Sequence, residues 1–267
     1  MKNIKLIVGD LDGTLVVKHN DASRRTRDVI LECKKRGIYF GIASGRQTDE
    51  LNLYKRWGLD EDFDLIVGLN GCQLKDNILN VENEYFVMEG QYIKEAIDVM
   101  RPFKHNPIMY VGNIFLTGEV NELVEKSLAH SDKKLVVAKD ETDFYKNDNY
   151  KIMFRVKEEE MPSIEEYIKS LNLKNIKAFK TQPDLIEFSK IDVDKAITIS
   201  KFCEMHNIDV KDVMTFGDTT NDNGMLKWAG VGVCMANGSD DTKAIADYIC
   251  DDVHNDGLAK FIEENVF

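Results

Sequence analysis

The sequence has no Cys-x-x-Cys pair, no excess of basic residues and no long apolar run, and each lack removes a class of protein. Its five cysteines, Cys33, Cys72, Cys203, Cys234 and Cys250, are scattered and odd in number. They offer neither a disulfide framework nor a zinc ribbon, and a reduced, cytoplasmic chain is expected. No stretch approaches the roughly 20 apolar residues of a membrane span. The run nearest the start is only Leu6-Ile7-Val8 before Gly9 and Asp10, too short for the core of a secretory signal. Lys and Arg number 35 against 47 Asp and Glu, a net charge of −12. Such a surface repels phosphate backbones and anionic lipid, so neither nucleic acid nor membrane is an expected partner, and metal cations are attracted instead. No internal repeat or low-complexity tract is present.

What is present is ordinary globular material. Of 267 residues, 43% are hydrophobic and 31% charged, enough for one large domain or two modest ones. The first eighty residues alternate short apolar runs with amphipathic stretches. Ile4 to Val8 reads as a buried strand, and residues 24–36 as a helix with Ser23 at its N-cap and Gly37 just past its end. Residues 38–43 read as a second strand, Asp49 to Trp57 as a helix stopped at Gly58, and Asp64 to Leu69 as a third strand. This order implies right-handed crossovers and a parallel sheet. The rhythm returns near the end: a helix over 194–206, a strand Val213 to Phe216, a helix over 221–229, and strands Val231 to Met235 and Tyr248 to Cys250. Between the halves the pattern changes. A Gly112-Asn113 hairpin signal stands between apolar flanks. Lys151 to Lys157 reads as a strand, Gln182-Pro183-Asp184 as a turn between two more, with helices near 89–101, 120–130 and 162–171. The expected architecture is α/β: a doubly wound, mainly parallel, Rossmann-like sheet formed by residues 1–81 and 191–267, with an α+β unit inserted over 82–190.

Asp10-Leu11-Asp12-Gly13-Thr14 follows the first strand directly, where a doubly wound sheet gathers its ligands. Two carboxylates flanking one residue raise each other's pKa. The pair suits a bound cation, or a division in which one oxygen attacks and the other handles protons. Read alone it also suits a solvated turn. Ser44-Gly45-Arg46 follows the second strand and offers a hydroxyl and a backbone N–H to a phosphate oxygen. Lys195 opens a helix just after the insertion, where an ammonium could neutralise a transferring phosphoryl group. Gly217-Asp218-Thr219-Thr220-Asn221-Asp222 follows another strand, and Asp218 and Asp222, four apart at a helix start, can face the same way.

These four segments, DLDGTL, SGR, a lysine after an insertion and GDTTND, resemble the motifs of the haloacid-dehalogenase (HAD) superfamily phosphatases. An insertion between the serine and lysine motifs is similar to the Cof-type branch with its C2 cap. Asn70-Gly71, the segment Gly232 to Asn237 and Asn255-Asp256-Gly257 are further echoes. Ala196 departs from the pattern, since relatives usually carry Gly after the lysine. The resemblance implies that Asp10 attacks phosphorus to give an aspartyl-phosphate. It also implies that Asp12 protonates the leaving oxygen and then deprotonates the hydrolytic water. Mg²⁺ would be held by Asp10, the main-chain carbonyl of Asp12 and Asp218. Ser44, Lys195, Asn221 and loop N–H groups, including those of Leu11 and Gly45, would hold the phosphoryl oxygens. Asp222 would orient waters or Lys195, and Arg46 would face either the substrate or a carboxylate of the cap. The implied function is hydrolysis of a small phosphomonoester (sugar phosphate, nucleotide or phosphorylated cofactor) by a monomer. A sugar phosphomutase on the same scaffold, or a protein that only binds a phosphometabolite, would carry the same motifs. A response-regulator receiver is about half this length and has no use for the insertion, which the phosphatase reading employs as a water-excluding lid.

The five histidines, His19, His105, His130, His206 and His254, lack ligand spacing and are read as structural. Met88, Met100, Met109, Met153 and Met161 are read as packing. Lys157 to Glu160 and Asp251-Asp252 are read as solvated loops.

Overall fold

Strand β1 (Leu6–Asp10) is buried at every residue in the computed structural model, which describes residues 3–17, 21–128 and 133–267. Burial on both faces explains why its sequence does not alternate. Helix α1 (Arg24–Lys35) starts where the Ser23 hydroxyl accepts from the Thr26 N–H. Strands β2 (Tyr39–Ala43) and β3 (Leu65–Gly68) extend the sheet in parallel. Between them, residues 49–57 do not form the expected helix; a short 3₁₀ turn, Thr48–Leu51, stands there instead. Leu51, Leu53 and Trp57 are all buried. Positions 51 and 53 lie about 200° apart on an α-helix, so a regular helix would expose one of them. Burial overrides local propensity.

An antiparallel hairpin, β4 (Gln73–Asp76) and β5 (Val81–Glu84), completes that side of the sheet. The chain then builds α2 (Gly90–Met100), β6 (Asn106–Val111), β7 (Ile114–Thr117), α3 (Glu122–Leu128), β8 (Lys134–Val137) and α4 (Thr142–Tyr145). The insertion ends with β9 (Lys151–Arg155), α5 (Met161–Leu171), β10 (Ile176–Gln182) and β11 (Leu185–Lys190). Its six strands lie in the order β10-β11-β9-β6-β7-β8, antiparallel except for β7 beside β8. Ile93 and Ile97 of α2 and Ile164 of α5 pack with Ile152, Phe154 and Phe188. Residues of the opposite parity, Met153 and Leu185, pack with Val124 of α3.

The first sheet resumes with α6 (Lys195–His206), β12 (Val213–Gly217), α7 (Asn223–Trp228), β13 (Val231–Met235), α8 (Asp240–Lys243), β14 (Tyr248–Cys250) and α9 (Gly257–Asn265). Its order is β14-β13-β12-β1-β2-β3-β4-β5, parallel from β14 to β3. Helices α1 and α9 cover one face through Val29, Ile30, Leu258 and Ile262, and α6 covers the other through Ile199 and Phe202. The fold is thus an α/β, doubly wound, mainly parallel sheet with an inserted α+β domain. Two units separate, Met1–Tyr85 with Val193–Phe267, and Phe86–Asp192. The boundary falls after Tyr85 rather than after residue 81 because β5 pairs with β4 and belongs to the first sheet. Among the described residues no helix is long and apolar enough to cross a membrane.

Candidate active site

The chain runs outward from β1 through β2 and β3, then returns to β12 and runs outward the other way to β14. The order therefore reverses between β1 and β12, and doubly wound sheets bind ligands at the carboxyl ends of strands at that point. Gly9 is in register with Phe216, and Asp10 with Ala43, so Asp10, Asp218 and Ser44 all leave the sheet at one edge. The loop after β1 turns back at once, with the N–H of Leu15 bonded to the carbonyls of Asp10 and Leu11. Gly13 lies at φ +96°, and a Cβ there would stand 2.4 Å from an oxygen of Asp218. Only glycine lets the loop pass so close. Thr14 Oγ1 donates to Asp218 Oδ1 at 3.0 Å.

Lys195 is the first residue of α6, whose N-terminus is capped by Asp194 accepting from the Ala196 N–H at 2.8 Å. Ala196, the departure from the family pattern, is an ordinary residue of the helix's first turn. Lys195 is fully buried, and its Nζ donates to Asp10 Oδ1 at 2.6 Å and to Asp222 Oδ1 at 2.7 Å. Asp222 Oδ2 accepts from the N–H groups of Asp218 and Thr219 at 2.9 and 3.1 Å. Asp222 therefore fixes the ammonium and the loop after β12 together.

Three buried carboxylates gather here: Asp10 and Asp222 on the ammonium, and Asp218 beside them. Their oxygens lie within 4.8 Å of one another. Burial pushes the Asp10 carboxyl well above the ordinary carboxylate range, Lys195 opposes this, and Asp222 and Asp218 reinforce it. Burial, with Asp222 beside it, pushes Asp218 up to about 7. Burial alone would lower Lys195, but Asp10 and Asp222 outweigh it and hold the ammonium charged, above its ordinary range. Thr14 engages one oxygen of Asp218, Lys195 one of Asp10, and Asp222 is engaged at both. Excess negative charge on an all-oxygen donor set fits a hard divalent cation such as Mg²⁺.

The residues expected to hold phosphoryl oxygens lie in the neighbouring loops. Ser44 is buried, its Oγ accepts from the Arg46 N–H at 3.2 Å, and its carbonyl accepts from the Asn70 N–H at 2.9 Å. Asn70, at φ +57°, accepts at Oδ1 from Asn221 Nδ2 at 3.0 Å, and Asn221 Oδ1 accepts from the Thr219 hydroxyl at 2.5 Å. Asn70 thus ties the strand β2 segment, including Gly45 nearby, to the loop after β12. No local signal around Asn70-Gly71 points to this link, which joins positions 151 residues apart. Arg46 pairs with a carboxylate of its own unit, Asp12, rather than with one of the inserted unit. Its Nε donates to Asp12 Oδ2 at 3.0 Å, and its Nη2 reaches Oδ1 and Oδ2 at 2.6 and 2.7 Å. The physical reason is proximity: β1 and β2 are neighbours, so both side chains leave adjacent strand ends.

Elsewhere, His206 pairs with buried Asp76 at 2.7 Å, and His105 meets the Phe103 carbonyl, while His19 and His130 lie outside the described residues. The five methionines of the insertion are buried, and Asp251 pairs with Lys260 at 2.9 Å.

A family model described as haloacid dehalogenase-like hydrolase matches residues 7–262. A Bacillus subtilis protein named 5-amino-6-(5-phospho-D-ribitylamino)uracil phosphatase is 28% identical, the match covering 97% of this chain and 95% of that one. A second protein of that name in the same organism is 26% identical over 97% and 96%. A solved haloacid dehalogenase-like hydrolase from Bacteroides thetaiotaomicron superposes with a TM-score of 0.79 at 27% identity, covering 98% of this chain and 99% of that one.

Proposed function

The chain belongs to the haloacid dehalogenase-like hydrolases, and on that premise we propose that it is a Mg²⁺-dependent phosphatase working through an aspartyl-phosphate on Asp10. The observation that carries this is the buried Lys195 ammonium, 2.6 Å from Asp10 and 2.7 Å from Asp222, at the reversal point of the sheet. It opposes the effect of burial by favouring the anionic form of Asp10, and it offers positive charge where phosphoryl oxygens would gather. Asp10 attacks phosphorus, and Asp12 gives a proton to the leaving alcohol oxygen. Asp12 then takes a proton from the water that cleaves the acyl phosphate. Ser44, Asn221, Lys195 and the N–H groups of Leu11 and Gly45 hold the phosphoryl oxygens. Asp10, the carbonyl of Asp12 and Asp218 would hold Mg²⁺, which when bound supplies counter-charge to the phosphoryl group.

The substrate class is a small phosphomonoester: a sugar phosphate, nucleotide or phosphorylated cofactor. The phosphoribitylamino compound of the Bacillus names belongs in the first panel. Specificity is assigned to the inserted unit. All five cysteines are free and buried, which supports a cytoplasmic placement, and a monomer is the working state. The test is phosphate release across such a panel, with Mg²⁺ and with EDTA, beside Asp10→Asn. Release that needs Mg²⁺ and vanishes in the variant is expected. An isomerised sugar phosphate without free phosphate would assign a mutase, and no turnover at all a binding protein.

A further inference from the structure

We propose that Arg46 is a positioning residue for Asp12, holding the carboxylate that exchanges protons with the leaving group and the water. This rests on the phosphatase reading above and adds a role for a residue that reading leaves idle. The geometry is a planar fork on a carboxylate. Asp12 Oδ2 accepts from both Nε and Nη2, at 3.0 and 2.7 Å, whereas Oδ1 accepts from Nη2 alone at 2.6 Å. The bonds that span the two oxygens, Nε to Oδ2 and Nη2 to Oδ1, fix the carboxyl plane. Because a carboxylate oxygen has two lone pairs, one that accepts from Arg46 can still give and take a proton at the other. A lysine, a point charge on a flexible stem, could not fix the plane in this way.

The clamp itself is anchored. The Arg46 N–H donates to Ser44 Oγ at 3.2 Å, and its carbonyl accepts from the Leu69 N–H at 2.8 Å. One three-residue segment therefore sets a phosphate-side hydroxyl and the orientation of the proton carrier. The side chains of Arg46 and Asp12 are 33% and 25% exposed. An ion pair so accessible to water adds little to stability, which leaves orientation as the consequence of its geometry.

In the first step Asp10 forms a bond to phosphorus, and the bond from phosphorus to the leaving oxygen breaks with its electron pair on that oxygen. The proton on Asp12 then completes the alcohol. In the second, water forms the new bond to phosphorus, its proton passes to Asp12, and Asp10 leaves as carboxylate. A misplaced Asp12 harms the first step only when the leaving oxygen needs a proton. An alkyl phosphate needs one, and p-nitrophenyl phosphate, whose phenolate is a stable anion, does not.

The experiment uses the full chain with Mg²⁺, comparing the best alkyl phosphate of the panel with p-nitrophenyl phosphate. Wild type, Arg46→Ala, Arg46→Lys and Asp12→Asn are followed by rapid-quench burst, steady-state kcat and KM, and thermal melting. Arg46→Ala is expected to lower kcat on the alkyl ester about 10²-fold, the lower range for general acid catalysis. The nitrophenolate burst rate should stay within about threefold, since no proton is delivered in that step. KM should hold, and Arg46→Ala with Asp12→Asn should cost no more than Asp12→Asn alone. Should Arg46→Ala melt early, Arg46→Lys carries the same comparison, with an intermediate loss. Equal losses on both esters of the burst rate, the step that precedes the water reaction they share, or a raised KM at unchanged kcat, would overturn the inference, the latter by making Arg46 a substrate contact. A wild type that hydrolyses neither ester, or an Asp10→Asn chain that still turns over, fails upstream and overturns the phosphatase reading with it.

Discussion

The two units bury charge in opposite ways. In the inserted unit Arg155 faces Asp184 and Lys151 faces Glu187, one cation for each carboxylate, and Ser127 Oγ and Gln182 add to Arg155. At the edge of the parallel sheet, Lys195 pairs with both Asp10 and Asp222, and a third carboxylate, Asp218, stands beside them. Balanced pairs of the first kind hold strands together and want nothing further. An unbalanced cluster is costly to bury and is sustained by the bonds around it. It makes chemical sense when a bound cation offsets the excess negative charge and can in turn draw a phosphoryl group. The contrast supports placing the proposed chemistry in the first unit.

The strongest way to break this contrast is Asp10→Asn. Phosphate release should fall by on the order of 10³ or more, as when a nucleophile is removed. The melting temperature should hold or rise, because one unbalanced charge is gone. A melting temperature that dropped sharply would make Asp10 a structural partner of the Arg155–Asp184 kind.

Next come the cations. Lys195→Met and Arg155→Met should each cost about 3–5 kcal/mol, the usual loss when one member of a buried pair is removed. Adding Asp184→Leu to Arg155→Met should recover much of that stability, because the pair is self-contained. Adding Asp222→Leu to Lys195→Met should restore no phosphate release, since Asp10 still lacks its counter-ion. Urea melts and phosphate assays on the four chains decide it.

The same contrast explains what was legible in the sequence. Parallel strands buried on both faces leave continuous apolar runs, so β1, β2, β12 and β13 stood out, and with them Asp10, Ser44 and Asp218 at their ends. The hairpin of β4 and β5, with sequences QLKD and VENE, is too polar and short to announce itself. Residues 49–57 carried apolar side chains and a stop at Gly58, yet tertiary burial of Leu51 and Leu53 overrode the helix. The Gly112-Asn113 turn was visible because it is local. The pairing of Arg46 with Asp12, 34 residues apart, and of Asn70 with Asn221, 151 apart, depends on which strands are neighbours, and no local pattern encodes that.

A smaller effect comes from pH. Asp218 stands at about 7 when folded against about 3.9 in an unfolded chain. Between those values the folded state keeps a proton that the unfolded state has lost, so the metal-free chain loses stability as pH rises from about 4 to about 7. Mg²⁺ competes with that proton, so its stabilising effect on the melting temperature should be larger at pH 8 than at pH 5.5. Carboxylates of the inserted unit have the opposite sign. Hydrogen bonds from Lys94 hold Asp98 low, and from Arg101 hold Glu141 low, so their contributions fade only as pH falls, with no response to Mg²⁺. Thermal melts with EDTA and with Mg²⁺ across this range separate the two. A Mg²⁺ response that did not grow with pH would remove Asp218 from the cation's shell.

The finest comparison is between two turn glycines, one in each unit. Gly112 lies at φ +55° with nothing within 4 Å of where a Cβ would stand, whereas at Gly13 that Cβ would meet the Asp218 carboxylate. Both substitutions to Ala incur the left-handed backbone penalty of about 1–2 kcal/mol. Gly112→Ala should incur only that, seen as a small drop in melting temperature with phosphate release unchanged. Gly13→Ala should also displace Asp218 and lower phosphate release at matched folded concentration. Equal kinetic damage from both would mean that the loop after β1 acts through its shape alone, and that its close approach to Asp218 has no part in the chemistry.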